Sequence, residues 1–364
     1  MAMMKAAAFL EKGRIEIVQK PIPDVGPNDA LIRITTTTIC GTDVHILRGE
    51  YPVEKGLTVG HEPVGVIEKL GSAVQGYQEG QRVIAGAICP NFNSYAAQDG
   101  YASQDGSYLG ACGVCGCHGY KATAGWRFGN LIDGTQAEYV LVPDAQANLA
   151  PIPEGLTDEQ VLMCPDIMST GFAGAENAHI KIGDTVVVFA QGPIGLCATA
   201  GARLLGATTI IAVDGNDHRL GIAKKMGADV TLNFRDVDVV SEVLKLTGGK
   251  GADSSIEALG KQATFEQAMK VIKPGGTLSS LGVYSEDLKI PLSAFAAGLG
   301  DHTIRTALCP GGKERMRRLM NVIEANRLDL GVMVTHERKL DDIVEAYDLF
   351  ANQRDGVLKI AIKP

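Results

Sequence analysis

The spacing of apolar and polar residues divides the chain into regions of different character. Up to about residue 90, short apolar runs at 31–38, 64–70 and 82–88 are separated by Gly, Pro and Asp, which predicts short strands joined by turns. Residues 91–130 are rich in Gly, Ser, Gln and Asp and have little periodicity, so we expect a long loop there.

From residue 184 to residue 282, apolar strands alternate with segments of helical spacing. The predicted strands are 185–190, 209–213, 230–234, 254–258 and 277–281, and the predicted helices are 194–205, 218–226, 237–246 and 265–272. This alternation predicts a parallel sheet covered by helices on both faces. Farther on, helices at 314–326 and 341–352 lead to a last strand at 357–362.

Composition narrows the class of protein. The chain of 364 residues is long enough for two domains, and its 45% hydrophobic and 21% charged residues are ordinary for a globular protein. A formal net charge of -8 argues against a nucleic-acid-binding surface. The apolar runs are shorter than a membrane span or a secretory signal requires. We therefore expect a cytoplasmic protein whose eight cysteines are thiols or metal ligands.

A glycine-containing turn follows the first strand of the alternating region. Residues 190–195 read AQGPIG, which is the G-x-G-x-x-G fingerprint with alanine in the first glycine position. Gly192 would let the backbone approach a pyrophosphate, and Gly195 would allow the helix to pack closely on the strand. Pro193 and Ile194 would begin the helix whose free N–H groups bind the phosphates.

Asp214 stands at the end of the next predicted strand, 22 residues after Gly192. This is close to the spacing of the acidic residue that binds the ribose hydroxyls of a dinucleotide. A carboxylate at this position would repel a 2′-phosphate, so it favours NAD over NADP. The alternative is an Asp that only caps the next helix.

Two short motifs in the first region indicate a metal site. Residues 40–45 read CGTDVH, and about twenty residues later residues 60–65 read GHEPVG. A lone Cys or a lone His is most often a core or surface residue. Together, however, thiolate and imidazole are ligands that zinc prefers.

These motifs, with PDIMSTGF at 165–172, GWRF at 125–128 and LCPGG at 308–312, make the chain resemble the zinc-containing medium-chain alcohol dehydrogenases over essentially its whole length. Within this family it most resembles the bacterial tetrameric secondary-alcohol dehydrogenases.

The resemblance implies an α/β fold with two domains. A GroES-like, partly closed β-barrel would form the catalytic domain (residues 1–168 and 312–364). A doubly wound Rossmann sheet of six parallel strands would form the NAD-binding domain (169–311). It also implies a homotetramer that transfers a hydride between NAD(H) and a small alcohol/ketone pair, the alcohol being preferentially secondary.

The resemblance further implies one catalytic zinc ion per subunit. Cys40 and His61 would be ligands, and Asp166 would be the third ligand, at a position where most members of the family have cysteine. Cys164 is the alternative third ligand. The fourth position would be left for water, substrate or Glu62. Glu62 would either enter and leave the coordination shell or act only as a neighbouring acceptor.

Other roles follow from the same resemblance. Thr42 would pass on the proton of the alcohol, and His45 would receive it by way of the cofactor ribose and release it to solvent. Asp43 would orient His61. Trp126 would line the substrate pocket, although a buried aromatic residue is more often plain core.

Three further residues would contact the cofactor. Thr170 would touch the nicotinamide, Arg219 the adenine ribose and Lys359 a cofactor phosphate. The alternatives for the two cations are an exposed helix residue and a solvated strand residue.

A cluster of cysteines raises the question of a second, structural zinc ion. Cys112, Cys115 and Cys117 form C-x-x-C-x-C, with Cys89 or His118 available as a fourth ligand. Many relatives instead have C-x-x-C-x-x-C, and the secondary-alcohol branch lacks this lobe. We therefore expect reduced thiols here rather than a structural zinc site.

Three rival functions are open. A zinc-free quinone or enone reductase of the same fold would have no use for Cys40, His61 and Asp166 together. A polyol- or aldehyde-specific zinc dehydrogenase would differ only in its substrates. A non-enzymatic protein would show degraded ligands or a degraded glycine turn, and the sequence shows neither.

Overall fold

Strands dominate the first part of the chain in the computed structural model, which describes residues 2–109 and 119–364. The strands are β1 (Met3–Glu11), β2 (Arg14–Pro21), β3 (Ala30–Thr38), β4 (Val64–Leu70), β5 (Arg82–Ala85), β6 (Tyr139–Val142) and β7 (Leu149–Pro151). Short helices lie between and after them: α1 (Gly41–Leu47), α2 (Tyr95–Gln98), α3 (Ala145–Asn148) and α4 (Asp158–Val161). A π-helical turn at Cys164–Met168 ends this part.

Helices and strands then alternate as the hydrophobic pattern predicts. The helices are α5 (Ser169–Asn177), α6 (Pro193–Leu205), α7 (Asp217–Lys225), α8 (Val239–Leu246) and α9 (Gln262–Lys270). The strands are β8 (Thr185–Phe189), β9 (Thr209–Asp214), β10 (Val230–Asn233), β11 (Ala252–Glu257), β12 (Ile272–Ser280) and β13 (Thr303–Thr306). The C-terminal elements are α10 (Lys313–Glu324), β14 (Val334–Lys339), α11 (Ile343–Ala351) and β15 (Lys359–Lys363).

The strands β8 to β13 form one parallel sheet in the order β10-β9-β8-β11-β12-β13. In this order the chain winds outward in both directions from the central strand β8, as in dinucleotide-binding sheets. Its core contains Val187, Ile211, Phe265 and Leu278. The hydrophobic pattern does not predict β13, because Thr303–Thr306 is an edge strand with mostly exposed side chains.

A second sheet has the order β14-β15-β3-β4-β5-β7, and β6 also pairs with β3. Apart from the parallel pair β14–β15, its strands are antiparallel. Residues Ile32, Val83, Phe128 and Val140 lie in its core. Strands β1 and β2 form a separate antiparallel pair. The predicted α/β fold class is confirmed: a strand-rich domain and a doubly wound parallel sheet.

The chain divides into two compact units, each of which contains one of the two large sheets. One unit comprises Met1–Ser169 and Cys309–Pro364, and the other comprises Thr170–Leu308. The C-terminal segment belongs to the first unit because β15 pairs with β3, with Ala361 opposite Thr38. Among the described helices, none combines the length and the apolar character that crossing a membrane demands.

Asp158, the first residue of α4, ties this helix to two strands of the first unit. Its carboxylate accepts hydrogen bonds from Thr35 Oγ1 at 2.5 Å and from Arg82 Nη2 at 2.6 Å. Its side chain is 18% exposed. Burial acts to raise the pKa of Asp158, but the hydrogen bonds from Thr35 and Arg82 outweigh it and hold the pKa below the ordinary 3.8.

We expect the substitution Asp158→Asn to lower the free energy of unfolding by about 1–3 kcal/mol at pH 7, because Arg82 would lose its charged partner. Since folding lowers this pKa, the stabilisation is present above the unfolded-state pKa and is lost as the pH falls through the folded-state value. Thermal unfolding of both proteins should therefore show a smaller difference below pH 3.8 than at pH 7.

Asp341→Asn is the matched control, because its ion pair with Lys5 is exposed on both sides. We expect it to change the free energy of unfolding much less than Asp158→Asn does, because solvent screens an exposed ion pair. An effect of Asp158→Asn that equals this control, or that does not shrink at low pH, would contradict the stabilising role of the ionised carboxylate.

Candidate functional site

Four potential metal ligands converge in the first unit. Cys40 lies just beyond the end of β3, and His61 and Glu62 lie just before β4. Because β3 and β4 are antiparallel, with Thr36 opposite Val64, the end of one strand lies beside the start of the other. The π-helical turn adds Asp166. All four side chains are buried, and their ligand atoms lie within 4.8 Å of one another.

The distances in this cluster fit a zinc ion. Asp166 Oδ2 lies 3.5 Å from Cys40 Sγ and 3.4 Å from His61 Nε2. A tetrahedral zinc ion with bonds of about 2.0–2.3 Å separates its ligand atoms by roughly 3.3–3.8 Å. Thiolate, imidazole and carboxylate are all zinc ligands. Cys164 is not part of the cluster, and its Sγ instead contacts Met168 Sδ at 3.8 Å.

Asp43 lies behind His61, as predicted. Its Oδ1 is 3.4 Å from His61 Nδ1, and its Oδ2 accepts a hydrogen bond from the Cys40 N–H at 2.9 Å. Asp43 is the third residue of α1 and therefore also caps that helix. A carboxylate facing Nδ1 favours the tautomer whose Nε2 lone pair points to the cluster.

The electrostatics of the cluster favour a bound cation. Burial raises the pKa of the Cys40 thiol and that of the Glu62 carboxyl. Burial alone would lower the pKa of His61, but Asp43 and Asp166 raise it well above its ordinary value. A divalent cation bound to these groups would favour the thiolate of Cys40 and the neutral imidazole of His61, so its binding would release protons.

Lys359 has different contacts from those expected of a cofactor-phosphate ligand. It is 0% exposed in β15, and its Nζ donates hydrogen bonds to both carboxylate oxygens of Glu62, at 2.6 and 2.9 Å. A third hydrogen bond goes to the carbonyl oxygen of Ile39 at 3.1 Å. The ammonium group thus balances the charge of Glu62 beside the metal-ligand cluster.

Trp126 lies next to the predicted metal ligand His61, with 5.8 Å between the ring centroids. It is 7% exposed, and its Nε1 donates a hydrogen bond to the carbonyl oxygen of Phe128. The ring of Tyr51 also contacts Trp126, with 4.9 Å between the ring centroids and an interplanar angle of 49°. Tyr51 is a further residue of this site, and nothing in the sequence around it marks it as one.

Helix α1 carries the two residues of the expected proton path. Thr42 Oγ1 lies 3.9 Å from Cys40 Sγ. His45 is one turn farther along, its side chain is 35% exposed, and its Nδ1 lies 2.5 Å from Glu50 Oε2. Glu50 is a further residue that sequence reasoning missed, although its spacing of five residues from His45 could have suggested it.

The glycine turn of the second unit has the geometry that its sequence predicts. Ala190, in the first glycine position, has a positive φ of 67°, which explains why glycine is common there. Gly192 is the N-cap of α6, and Pro193 and Ile194 are its first residues. A Cβ on Gly195 would lie 1.8 Å from the carbonyl oxygen of Ala190, so only glycine fits.

Asp214 ends β9 beside this turn and holds it in place. Its Oδ2 accepts a hydrogen bond from the Gln191 N–H at 2.6 Å, and its Oδ1 accepts one from the Asn216 N–H at 2.9 Å. The buried Gln191 side chain is itself bonded to the carbonyl oxygen of Val188 and to Thr199 Oγ1. Gln191 is thus a structural member of the turn that the fingerprint leaves unspecified.

The remaining predicted cofactor contacts lie on helices. Thr170 is buried in the first turn of α5, and Arg219 is half-buried on α7. Arg235, which the sequence analysis did not consider, lies near Gly215, since a Cβ added there would be 3.1 Å from Arg235 Nε.

The proposed structural-zinc cysteines Cys112, Cys115 and Cys117, with His118, lie outside the described residues. The other candidate, Cys89, is buried with its Sγ 3.3 Å from the carbonyl oxygen of Gly86. Burial raises the pKa of Cys89 to about 12, as expected for a thiol that stays protonated.

Comparisons with known proteins agree with this geometry. Residues 26–154 match the family model described as alcohol dehydrogenase GroES-like domain, and residues 193–325 match zinc-binding dehydrogenase. An alcohol dehydrogenase of Cupriavidus necator is 85% identical over 363 residues, which covers 100% of this chain and 99% of that protein. An NADP-dependent isopropanol dehydrogenase of Entamoeba histolytica is 37% identical, covering 99% of this chain and 96% of that protein.

Among solved structures, the apo form of zinc-dependent alcohol dehydrogenase 2 from Streptococcus pneumonia has a TM-score of 0.86 and 30% identity, with coverage of 99% of this chain and 98% of that one. The resemblance that the motifs suggested is confirmed. The chain therefore belongs to the zinc-dependent medium-chain alcohol dehydrogenase family and is an oxidoreductase of alcohols and carbonyl compounds.

Proposed function

We propose that the protein oxidises small secondary alcohols to ketones with NAD, and catalyses the reverse reaction, at a zinc site formed by Cys40, His61 and Asp166. The observation that carries this proposal is the convergence of these three ligand atoms within 4.8 Å of one another, with the distances from Asp166 to Cys40 and to His61 matching those around a tetrahedral zinc ion. When bound, zinc supplies a Lewis acid that polarises the oxygen of the substrate.

The secondary-alcohol preference is supported by a relative. The Entamoeba histolytica protein that matches nearly the whole chain is named for isopropanol, a secondary alcohol. The ring of Trp126 next to His61, with Tyr51 in contact with Trp126, offers an apolar wall for a short alkyl chain. A zinc-free quinone or enone reductase would not need the ligand set, which counts against that alternative.

The protein's own side chains have distinct parts in this mechanism. Asp43 orients His61, and Lys359 holds Glu62 by its two carboxylate oxygens. The hydroxyl of Thr42, beside Cys40, relays the proton of the alcohol: it takes up that proton as it gives its own toward His45. His45, held by Glu50 and partly exposed, exchanges that proton with solvent.

The choice of NAD rests on Asp214. Its carboxylate ends β9 next to the glycine turn, where it can accept hydrogen bonds from ribose hydroxyls and repel a 2′-phosphate. NADP is the second candidate, because the isopropanol dehydrogenase relative is named NADP-dependent and Arg235 lies near Gly215. A guanidinium at that position could bind a 2′-phosphate.

A homotetramer stays a prediction from the resemblance, and sedimentation of the purified protein would test it. The contact of Thr170 with the nicotinamide and that of Arg219 with the adenine ribose also stay predictions from the resemblance.

The function itself is tested by following reduced nicotinamide by absorbance with NAD or NADP and a panel of primary, secondary and polyhydric alcohols. We expect NAD-dependent oxidation that is fastest with small secondary alcohols, that stops on chelation and that returns with added zinc. Chelator-insensitive reduction of enones, with no turnover of any alcohol, would replace this proposal by the zinc-free reductase. Faster turnover of a polyol or a primary alcohol would change the substrate class.

The ligand set is tested by comparing Asp166→Asn with Cys164→Ser. Because Asp166 lies in the cluster and Cys164 does not, we expect Asp166→Asn to lose zinc during gel filtration against a chelator, whereas Cys164→Ser keeps it. Zinc content per subunit, measured by atomic emission, gives the answer. Zinc loss from Cys164→Ser alone would make Cys164 the third ligand.

Cofactor choice is tested with Asp214→Asn. A hydrogen bond to a charged group is worth about 1.5–3 kcal/mol, so we expect the ratio of kcat/KM for NAD over NADP to fall roughly tenfold or more. Asp229→Asn is the matched control, since Asp229 also bonds a backbone N–H of β9, that of Ile210, but near the other end of the strand. An unchanged ratio for Asp214→Asn, or an equal fall for the control, would refute the role of Asp214.

A further inference from the structure

A series of hydrogen bonds between buried side chains connects the metal-ligand cluster to the C-terminal helix α11. Gln136, which precedes β6, donates hydrogen bonds from Nε2 to the carbonyl oxygen of Thr38 at 3.1 Å and to Asp43 Oδ2 at 3.3 Å. Its Oε1 accepts a hydrogen bond from the hydroxyl of Tyr347, in α11, at 2.9 Å. All these side chains are buried within the first unit.

These contacts allow only one orientation of the Gln136 amide. Its nitrogen faces two acceptors, and its oxygen faces a hydroxyl. Burial and the neighbouring charge of Asp43 raise the pKa of Tyr347 well above its ordinary value, so the phenol stays protonated and donates. Without that hydroxyl, the amide oxygen would be buried without a partner, and the amide would have no reason to keep its nitrogen on Asp43.

The amide in turn fixes the carboxylate of Asp43. Its Oδ2 receives N–H groups from both Gln136 and Cys40, which leaves Oδ1 facing His61 Nδ1 at 3.4 Å. Neither of these two facing atoms has another hydrogen-bond partner among the described residues. The direction of the His61 ring therefore depends on the rotation of the Asp43 carboxylate.

Gln136 also supports His61 from the backbone side. Gly60, the residue before His61, has a positive φ of 91°, and a Cβ there would lie 2.6 Å from Gln136 Cγ. The Gln136 side chain is thus packed directly against the segment that presents the ligand.

We propose that Gln136 and Tyr347 are positioning residues for the metal ligand His61, acting through Asp43. This inference rests on the proposed zinc function of the cluster. Tyr347 fixes the Gln136 amide, Gln136 fixes the Asp43 carboxylate, and Asp43 fixes the imidazole so that Nε2 points to the metal. The C-terminal helix thereby contributes to how tightly the metal is held, although Tyr347 is not one of the four residues of the cluster.

Tyr347→Phe tests this series of hydrogen bonds, because it removes the hydroxyl and keeps the ring. The measured quantity is the rate at which a chromogenic chelator takes zinc from the folded protein, well below the unfolding temperature. Loss of a direct partner of a zinc-binding histidine costs about 10–100-fold in affinity, so for this more distant residue we expect zinc loss about three- to tenfold faster. Tyr77→Phe is the matched control, since it removes a tyrosine hydroxyl bonded to the carbonyl oxygen of Leu149 in the same unit. We expect no acceleration from it.

A double-mutant cycle with Gln136→Met tests whether Tyr347 and Gln136 act through the same hydrogen bonds or affect zinc binding independently. Gln136→Met already disconnects Tyr347 from Asp43, so adding Tyr347→Phe to it should change the rate little further. Full additivity of the two effects would overturn the proposal. In the cobalt-substituted proteins, the visible bands should shift in Tyr347→Phe and stay unchanged in Tyr77→Phe, because only the former changes the direction of His61.

Failure of this inference can be told apart from failure of the proposed function. If the unsubstituted protein binds no zinc, the zinc function is wrong, and the positioning role is wrong with it. If it binds zinc and Tyr347→Phe loses zinc no faster than Tyr77→Phe does, the zinc function stands and only the positioning role is refuted.

Discussion

The first unit buries several ionisable side chains close together, and the free-energy cost of burying their charges governs which groups surround them. A thiol, an imidazole and two carboxylates lie within 4.8 Å of one another with almost no access to water. Burying ionised groups without partners is strongly unfavourable, so each needs a proton, a cation or hydrogen-bond donors. The Lys359 ammonium compensates Glu62, and the Asp43 carboxylate compensates His61. A divalent cation would complete the balance for the remaining ligands.

The side chains that stabilise these buried charges come from distant parts of the chain. The ligands lie in the first half, whereas Lys359 is supplied by β15 and the Tyr347 hydroxyl by α11. The antiparallel pairing of β15 with β3 brings the C-terminal segment next to Cys40 and Glu62. The buried hydrogen bonds around the site therefore use side chains from both chain segments, which gives a physical reason for a domain built from the two.

In the second unit, the residues of the predicted cofactor site lie close together along the chain. Within residues 190–195, the positive φ at Ala190 and the absence of a side chain at Gly195 are both required by one tight strand-to-helix turn. Asp214 bonds that turn from the end of the adjacent strand and so joins the two features that the fingerprint names. Such a site can be predicted from sequence, because its residues are close along the chain and its backbone geometry restricts the residue types.

The sequence by itself determined the alternation of strands and helices in the second unit, the glycine turn with Asp214, and the residue types of the proposed zinc site at Cys40 and His61. These signals are local, since periodicity and turn geometry act over a few residues. The resemblance favoured Asp166 over Cys164 as the third ligand, and the tertiary structure places the Asp166 side chain in the cluster and the Cys164 side chain against Met168. The tertiary structure alone decided that Lys359 binds Glu62, and that Gln136 and Tyr347 stand behind Asp43. Those contacts join residues about one hundred to three hundred positions apart, and hydrophobic periodicity does not specify which distant polar side chains will meet in a core.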